Sequence, residues 1–236
     1  MITILSLDTT SKYASISISR GEEIQLEYNF ATRDELSASL IPSLEFVLNS
    51  MPLKLEDIDV YGIGIGPGLF TGIRVGLATL KGLILGTGKP VVPVVTLRAL
   101  AYKYNDSTSP IISMIDARRD ELYIAAYRFV NRHAKELLPP SLIHINQLKH
   151  HLEPLAEFKK TKFSLVGSGA EVHIAFIKEH LAWGNLYRRS CFLASEICKV
   201  TYDHYMKKNY ITDLQQLIPF YIRKPDAEQN LEPSPQ

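Results

Sequence analysis

Cysteine is nearly absent. Cys191 and Cys198 are the only two in 236 residues, lie seven apart and form no C-x-x-C pair, so neither a disulfide framework nor a zinc module is expected and a reducing, cytosolic compartment is the default. A surplus of one charge is missing too. With 26 Lys+Arg against 25 Asp+Glu, the net charge of +1 offers little for gripping nucleic acid alone, because phosphate neutralisation needs Lys and Arg gathered on one face. Any RNA would be held mainly by a partner. No apolar run reaches the ~18–20 residues that span a bilayer, since Lys81, Lys89 and Pro90 interrupt the most hydrophobic stretch. The start, Met1 to Asp8, has no basic segment and meets an acid too early for a signal peptide, so export is not expected.

Histidine is missing from the whole first half. All seven (His133, His144, His150, His151, His173, His180 and His204) fall in the second half. On a helix the adjacent His150 and His151 diverge, and His173 and His180 stand about 10 Å apart along the axis; neither pair suits one zinc ion. There is no G-x-S-x-G, and Ser190, Cys191 and Cys198 have no His and acid arranged around them. A peptidase therefore has no mechanism to draw on.

What is present is ordinary globular composition: 46% hydrophobic, 22% charged, 13 Gly and 13 Pro, enough for one large domain or two small ones sharing a cleft. Ile2–Leu7 reads as a buried strand. Residues 13–20 alternate Ala14, Ile16 and Ile18 with polar neighbours, and residues 24–30 follow the turn at Gly21, which makes an antiparallel meander. Leu36, Leu40, Leu44, Val47, Leu48 and Met51 predict an amphipathic helix over 34–51, with Pro42 expected to kink it. A strand over 59–65 leads through Gly66–Gly72 into a helix over 72–87. After a strand at 91–95, Thr96 is placed to cap a further helix.

Strands at 111–115 and 122–130 restart the pattern, followed by 163–166 and helices near 170–182 and 193–208, a shortened echo of the first half. Two α/β lobes are predicted, residues 1–105 and a reduced 106–224, separated by the linker-like Asn105–Pro110. The polar, Pro-rich tail 225–236 is expected to be loosely held.

Four segments carry candidate chemistry. Asp8, Thr9, Thr10 and Ser11 close a buried strand; they either cradle phosphate and hydrated Mg²⁺ or satisfy their own turn. In the second segment, Gly66–Gly76, Gly72, Gly76, Thr79, Leu83 and Gly86 share one helix face with little bulk. That face packs against the sheet or forms a subunit interface, the latter favoured if Phe70 and Arg74 are exposed. Asp116 and Arg118 are expected where the lobes face each other, with a local ion pair worth about 0–1 kcal/mol as the alternative. Gly167, Ser168 and Gly169 form a strand-to-helix turn suited to a phosphate or a nucleotide edge. Tyr187, Arg188, Arg189, Lys207 and Lys208 read as solvated faces.

Taken together, in order and spacing, Leu5–Thr10, Gly66–Gly76 with its G-P-G-x-F-T-G-x-R core, Pro93–Leu100, Ile115–Arg118 and Pro219–Arg223 resemble the bacterial TsaB (YeaZ) family over residues 1 to about 224. The resemblance implies an α/β, two-lobed actin-like, Hsp70-like ATPase (ASKHA) fold with a reduced second lobe. It implies a non-catalytic subunit supporting TsaD, which transfers threonylcarbamoyl to the adenosine beside the anticodon of tRNAs reading codons that begin with A. On this basis the partner surface takes in Leu36, Leu40, Leu44, Gly68, Phe70, Thr71, Gly72, Arg74, Gly76, Thr79 and Leu83. The same surface can form a homodimer when no partner is present.

Further implications are vestigial phosphate loops at Asp8, Thr9, Thr10, Ser11, Gly167, Ser168 and Gly169, and no metal or cofactor required by this chain. ATP and Mg²⁺ serve the wider complex, in which the ATPase TsaE takes part and tRNA is reached. Leu36 stands where many relatives carry His, so no role of that His transfers. The alternative is a small kinase of the same fold acting on a sugar or carboxylate, which would need Asp8 or Asp116 on Mg²⁺ and an acid as general base.

Overall fold

The computed structural model describes residues 1–31, 36–155, 162–181 and 184–223; the expected loose tail at 225–236 and the first two residues of the expected helix over 34–51 lie outside them. Two five-stranded sheets of matching topology form the frame. In the first, β1 (Thr3–Asp8), β2 (Tyr13–Arg20) and β3 (Glu23–Ala31) form an antiparallel meander. Strands β4 (Val60–Gly66) and β5 (Val91–Val95) add in parallel on the other side of β1, giving the order β3-β2-β1-β4-β5.

The second sheet repeats this with β6 (Ile111–Asp116), β7 (Glu121–Val130), β8 (His133–His144), β9 (Phe163–Val166) and β10 (Gly184–Tyr187), in the order β8-β7-β6-β9-β10. This is the two-lobed actin-like arrangement. The shortening of the second half falls on its helices, not on its strand count. Where the first lobe has α1 (Leu36–Ser50) and α2 (Phe70–Thr87), the second has α4 (Leu148–His151), α5 (Ser168–Val172) and α6 (Ile174–His180).

Two strands escape the hydrophobic pattern. Strand β8 contains Pro139 and Pro140, which remove ladder donors. It lies at the sheet edge, and the two prolines fall in the register break between the Ala126↔Leu138 and Ile124↔Ser141 pairs. Strand β10 has only four residues, too few to show a period.

Helices α3 (Thr96–Tyr102) and α7 (Ala194–Met206) cross over. The first packs on β6 and β7 of the second sheet, and the second packs on β1, β2 and β4 of the first. Together they fill the layer between the sheets, with Ile4, Val60, Val92, Leu97, Ile111, Ala125, Ile197 and Val200 in one cluster. On the opposite face of the first sheet, Leu5, Leu7, Ile16, Ile18, Tyr61 and Ile63 pack under α1 and α2 against Leu40, Leu44, Val47, Ile73, Leu77 and Leu80. Each such buried side chain contributes roughly 1.5–3 kcal/mol.

The inner face of the first sheet is lined by Ser6, Ser15, Ser17, Ser19, Gly62 and Gly64. A Cβ on Gly62 would lie 2.2 Å from Thr201 Oγ1 and 2.5 Å from Ser6 Oγ, so α7 sits close on the sheet. Helix α7 is capped from afar, because the amides of Leu193 and Ala194 donate to Ser15 Oγ at 3.2 and 3.0 Å. Thr96, expected to cap α3, is instead its first residue. Val95 occupies the N-cap position without a side-chain bond, and the Thr96 hydroxyl is buried with no hydrogen-bond partner. Pro42 sits inside α1 on its exposed side.

Candidate functional site

The duplicated hairpins place two similar turns opposite each other. Strands β1 and β6, equivalent in the two sheets, both end in an aspartate, Asp8 and Asp116. The turns after them line a cleft between the lobes of about 1230 Å³, shared with Gly167 and Ser168 at the start of α5 and with Lys103, Arg189, Tyr221 and Arg223. Of the residues read as phosphate-binding or inter-lobe, Asp8, Thr10, Ser11, Asp116, Arg118, Gly167 and Ser168 meet here. Thr9 and Gly169 do not line the cleft. Thr9 Oγ1 donates to the Gly72 carbonyl at 2.8 Å, and Gly169 packs beside Leu122 and the Met114 and Ile115 backbone.

Several polar atoms of these turns are engaged within the chain. Asp8 Oδ1 accepts from both the amide (3.1 Å) and the hydroxyl (2.8 Å) of Thr10. Ser11 Oγ bonds the Tyr13 carbonyl and receives its amide. Across the cleft, Asp116 Oδ1 accepts from the backbone amide of Arg118 at 2.9 Å, while the Asp116 amide donates to Ser168 Oγ at 3.2 Å. Gly167, at φ +101°, leaves room for the Met114 carbonyl. A triphosphate cradle needs such donors pointing outward. The Thr10 amide and hydroxyl, the Ser11 hydroxyl and the Arg118 amide are instead bonded inside their own turns.

Asp8 is almost fully enclosed, and burial pushes its carboxyl up to about 6, with the Thr10 hydrogen bonds working in the opposite direction. An acid whose folded pKa lies above its unfolded value holds more protons in the native state. The contribution of Asp8 to stability is therefore greatest below pH ~4 and falls as pH rises to ~6, by about 3 kcal/mol. Asp8→Asn keeps an acceptor for Thr10 and removes the charge. It is expected to raise stability at pH 7 by about that amount and to flatten the pH 4–6 slope in urea titrations; an unchanged slope would clear Asp8 of this role.

Beneath the cleft lies a group that local sequence did not signal. Lys103 Nζ meets Glu196 Oε2 at 3.0 Å and Ser190 Oγ at 3.2 Å, with both charged side chains under 10% exposed. Ninety-three positions separate the pair. Arg189, read as part of a solvated face, turns inward. Its guanidinium donates to the Lys103 carbonyl and lies 4.7 Å over the Tyr104 ring.

The second candidate feature is the outer layer of α1 and α2. The row Gly72, Gly76, Thr79 and Leu83 runs along the flank of α2, not along its outward face, and its last member, Gly86, is exposed. A Cβ on Gly72 would lie 2.1 Å from the Thr9 carbonyl, one on Gly76 2.2 Å from Thr9 Oγ1, and one on Gly68 2.1 Å from the Thr10 carbonyl. These glycines admit the chain's own β1–β2 turn. Of the residues read as partner surface, Gly72, Gly76, Leu40 and Leu44 are buried within the chain, and Leu36, Gly68, Thr79 and Leu83 are half-buried.

The outward stripe is displaced round the helix: Thr71, Ala78, Gly82 and Leu85 are exposed, with open space around Gly82 and Gly86. Beside it α1 exposes Ala38, Ile41, Pro42 and Phe46. Phe70 and Arg74 are exposed at the start of α2. The Arg74 guanidinium lies 3.8 Å over the Phe70 ring, and Arg74 Nε donates to Tyr221 Oη at 3.1 Å.

Among the described residues, no group of three His, Cys, Asp or Glu is placed to hold a metal ion, and no helix is long and apolar enough to cross a membrane. Residues 31–230 match the protein family described as "TsaD: tRNA N6-adenosine threonylcarbamoyltransferase". The chain is similar to the tRNA threonylcarbamoyladenosine biosynthesis protein TsaB of Haemophilus influenzae, 26% identical over 94% of each chain. It is also similar to that of Bacillus subtilis, 24% identical over 96% of each. A solved Pseudomonas aeruginosa structure, described as having similarity to peptidase YEAZ, superposes with a TM-score of 0.80 at 20% identity, covering 94% of this chain and 100% of its own. That likeness shows the fold.

Proposed function

The chain belongs to the family of TsaD, the tRNA N6-adenosine threonylcarbamoyltransferase, and from that premise we propose that it serves threonylcarbamoyladenosine synthesis as a non-catalytic subunit. In this reading it works in the cytoplasm and docks on the catalytic TsaD through the outward face of α1 and α2. The ATPase TsaE joins the assembly, tRNA is held by the complex, and the same face pairs two copies when no partner is present. The observation that carries the reading is the exposed small-residue stripe Thr71, Ala78 and Gly82 beside Ala38, Ile41 and Pro42. Such a stripe lets a second helix pair approach closely, and the stripe on α2 is flanked by Leu85, 78% exposed.

The hydrogen bonds that Thr10, Ser11 and Arg118 make within their own turns support the non-catalytic half, since a kinase would need such donors turned to phosphate. The chain then needs no cofactor of its own. Reconstitution with TsaD, TsaE, the adenylate-forming enzyme and tRNA is expected to lose threonylcarbamoyladenosine, read by mass spectrometry, when this chain is left out. It is also expected to show no ATP turnover by the chain alone. Product formed without it, or turnover by the isolated chain, would return the kinase reading.

Arg74→Glu tests the docking end of α2. It places an acid beside the Phe70 ring face, where the guanidinium now sits, and is expected to weaken TsaD binding at least tenfold in a binding titration. Unchanged affinity would remove Arg74 from the interface.

A further inference from the structure

The segment after α7 returns across the first lobe and ends on the second. Ile211 pairs with Val91, Leu217 is buried under the first sheet, and the Phe220 amide donates to the Ile65 carbonyl at 2.8 Å. Tyr221 then stacks on Phe70, ring centres 5.1 Å apart, and receives the Arg74 hydrogen bond. Two residues on, Arg223 crosses to the β6–β7 turn, donating to the Ala117 carbonyl at 3.0 Å and pairing with the Glu121 carboxylate. The turn it grips is unusual. Between Ala117 and Glu121, Arg118, Arg119 and Asp120 have φ of 61°, 55° and 56°, and three consecutive non-glycine residues in the left-handed region persist only where the surroundings impose them. Arg223 binds both ends of that run.

We propose that residues 217–223 are an inter-lobe tether whose Arg223 clasp imposes the left-handed β6–β7 turn at the cleft, and whose Tyr221 makes that turn responsive to the start of α2. Only Ile222 stands between Tyr221 and Arg223, so displacing Tyr221 from Phe70 and Arg74 withdraws the guanidinium from Ala117 and Glu121. This extends the docking reading above and rests on it in one respect: a partner seated on Phe70 and Arg74 then alters the cleft through the tether.

The test uses the isolated full chain, so it stands whether or not a partner binds there. Hydrogen exchange is followed by mass spectrometry over two segments, 117–121, whose amides of Ala117 and Glu121 bond within the turn, and 66–76. Arg223→Ala is expected to speed exchange over 117–121 about tenfold, as befits loss of a charge-assisted bond, and Arg223→Lys to restore part of the protection. Tyr221→Ala, whose ring is held by Phe70 and Arg74 at the start of α2, is expected to do the same there. By reciprocity Glu121→Gln is expected to loosen 66–76. If Tyr221→Ala changes exchange only over 66–76, or Arg223→Ala leaves 117–121 as protected as before, the tether is overturned. Far-ultraviolet circular dichroism confirms that each variant is folded.

Discussion

Gly72→Ala is expected to destabilise the chain by about 3 kcal/mol, at the upper end for forcing atoms into a packed site. The added Cβ would stand 2.1 Å from the Thr9 carbonyl oxygen, a backbone atom that moves only if the β1–β2 turn moves with it. The same turn holds Thr9 Oγ1 on the Gly72 carbonyl and the Thr10 carbonyl on the Leu69 amide, so the clash also loosens the start of α2. Gly82→Ala on the same helix is the control. Nothing lies within 4 Å of its new methyl, and exchanging glycine for alanine inside a helix stabilises by roughly 0.5–1 kcal/mol.

Urea unfolding of the two variants separates the inner glycines from the outer one, and equal effects would show that the β1–β2 turn does not press on α2. Gly82→Arg completes the set. Its monomer is expected to stay folded while its pairing with TsaD is abolished in size-exclusion chromatography, because a long side chain then stands on the proposed contact stripe.

Lys103→Met is expected to cost about 3 kcal/mol. Removing one partner of a buried pair strands the other charge, which is dearer than replacing both. Lys199 Nζ, 3.8 Å from Glu196 Oε1, is a third exposed and too distant to replace the 3.0 Å contact. The double variant Lys103→Met/Glu196→Leu is therefore expected to recover most of the loss, with a coupling of about 2 kcal/mol in a double-mutant cycle. Additive single effects would show that the pair is solvated in the folded protein. The pair joins the end of α3, which packs on the second sheet, to α7, which packs on the first. Its loss is expected to weaken the seam between lobes before either sheet.

Much of this could be read in one dimension, and the reasons are local. The meander over 3–31 followed from alternation and one turn, and α1 from apolar spacing, because each of these elements has one well-defined apolar side, whereas α2 was read as the glycine-bearing stretch after the Gly66–Gly72 turn. Asp8, Thr10, Asp116 and Ser168 were recognisable as strand-end and turn residues, and they do meet at the cleft. Strand β8 was invisible because its prolines mimic a loop, yet they fall in a register break on a sheet edge. The small-residue row on α2 was seen but its direction was not, because spacing says which residues share a face and not what that face meets.

The sequence by itself determined the two-lobed order of strands and helices and the apolar face of α1, since these depend on the pattern of neighbouring residues. Only the tertiary structure decided what covers each remaining face. Ser15, Ser17 and Ser19 alternate with isoleucines as a solvated strand would, yet they are buried under α7, and Ser15 caps a helix 179 positions away. Lys103 finds Glu196, and Arg223 finds Ala117 and Glu121, across separations of about a hundred residues. Alternation records the polarity of a face, whereas the partner that covers it is chosen when the chain closes on itself.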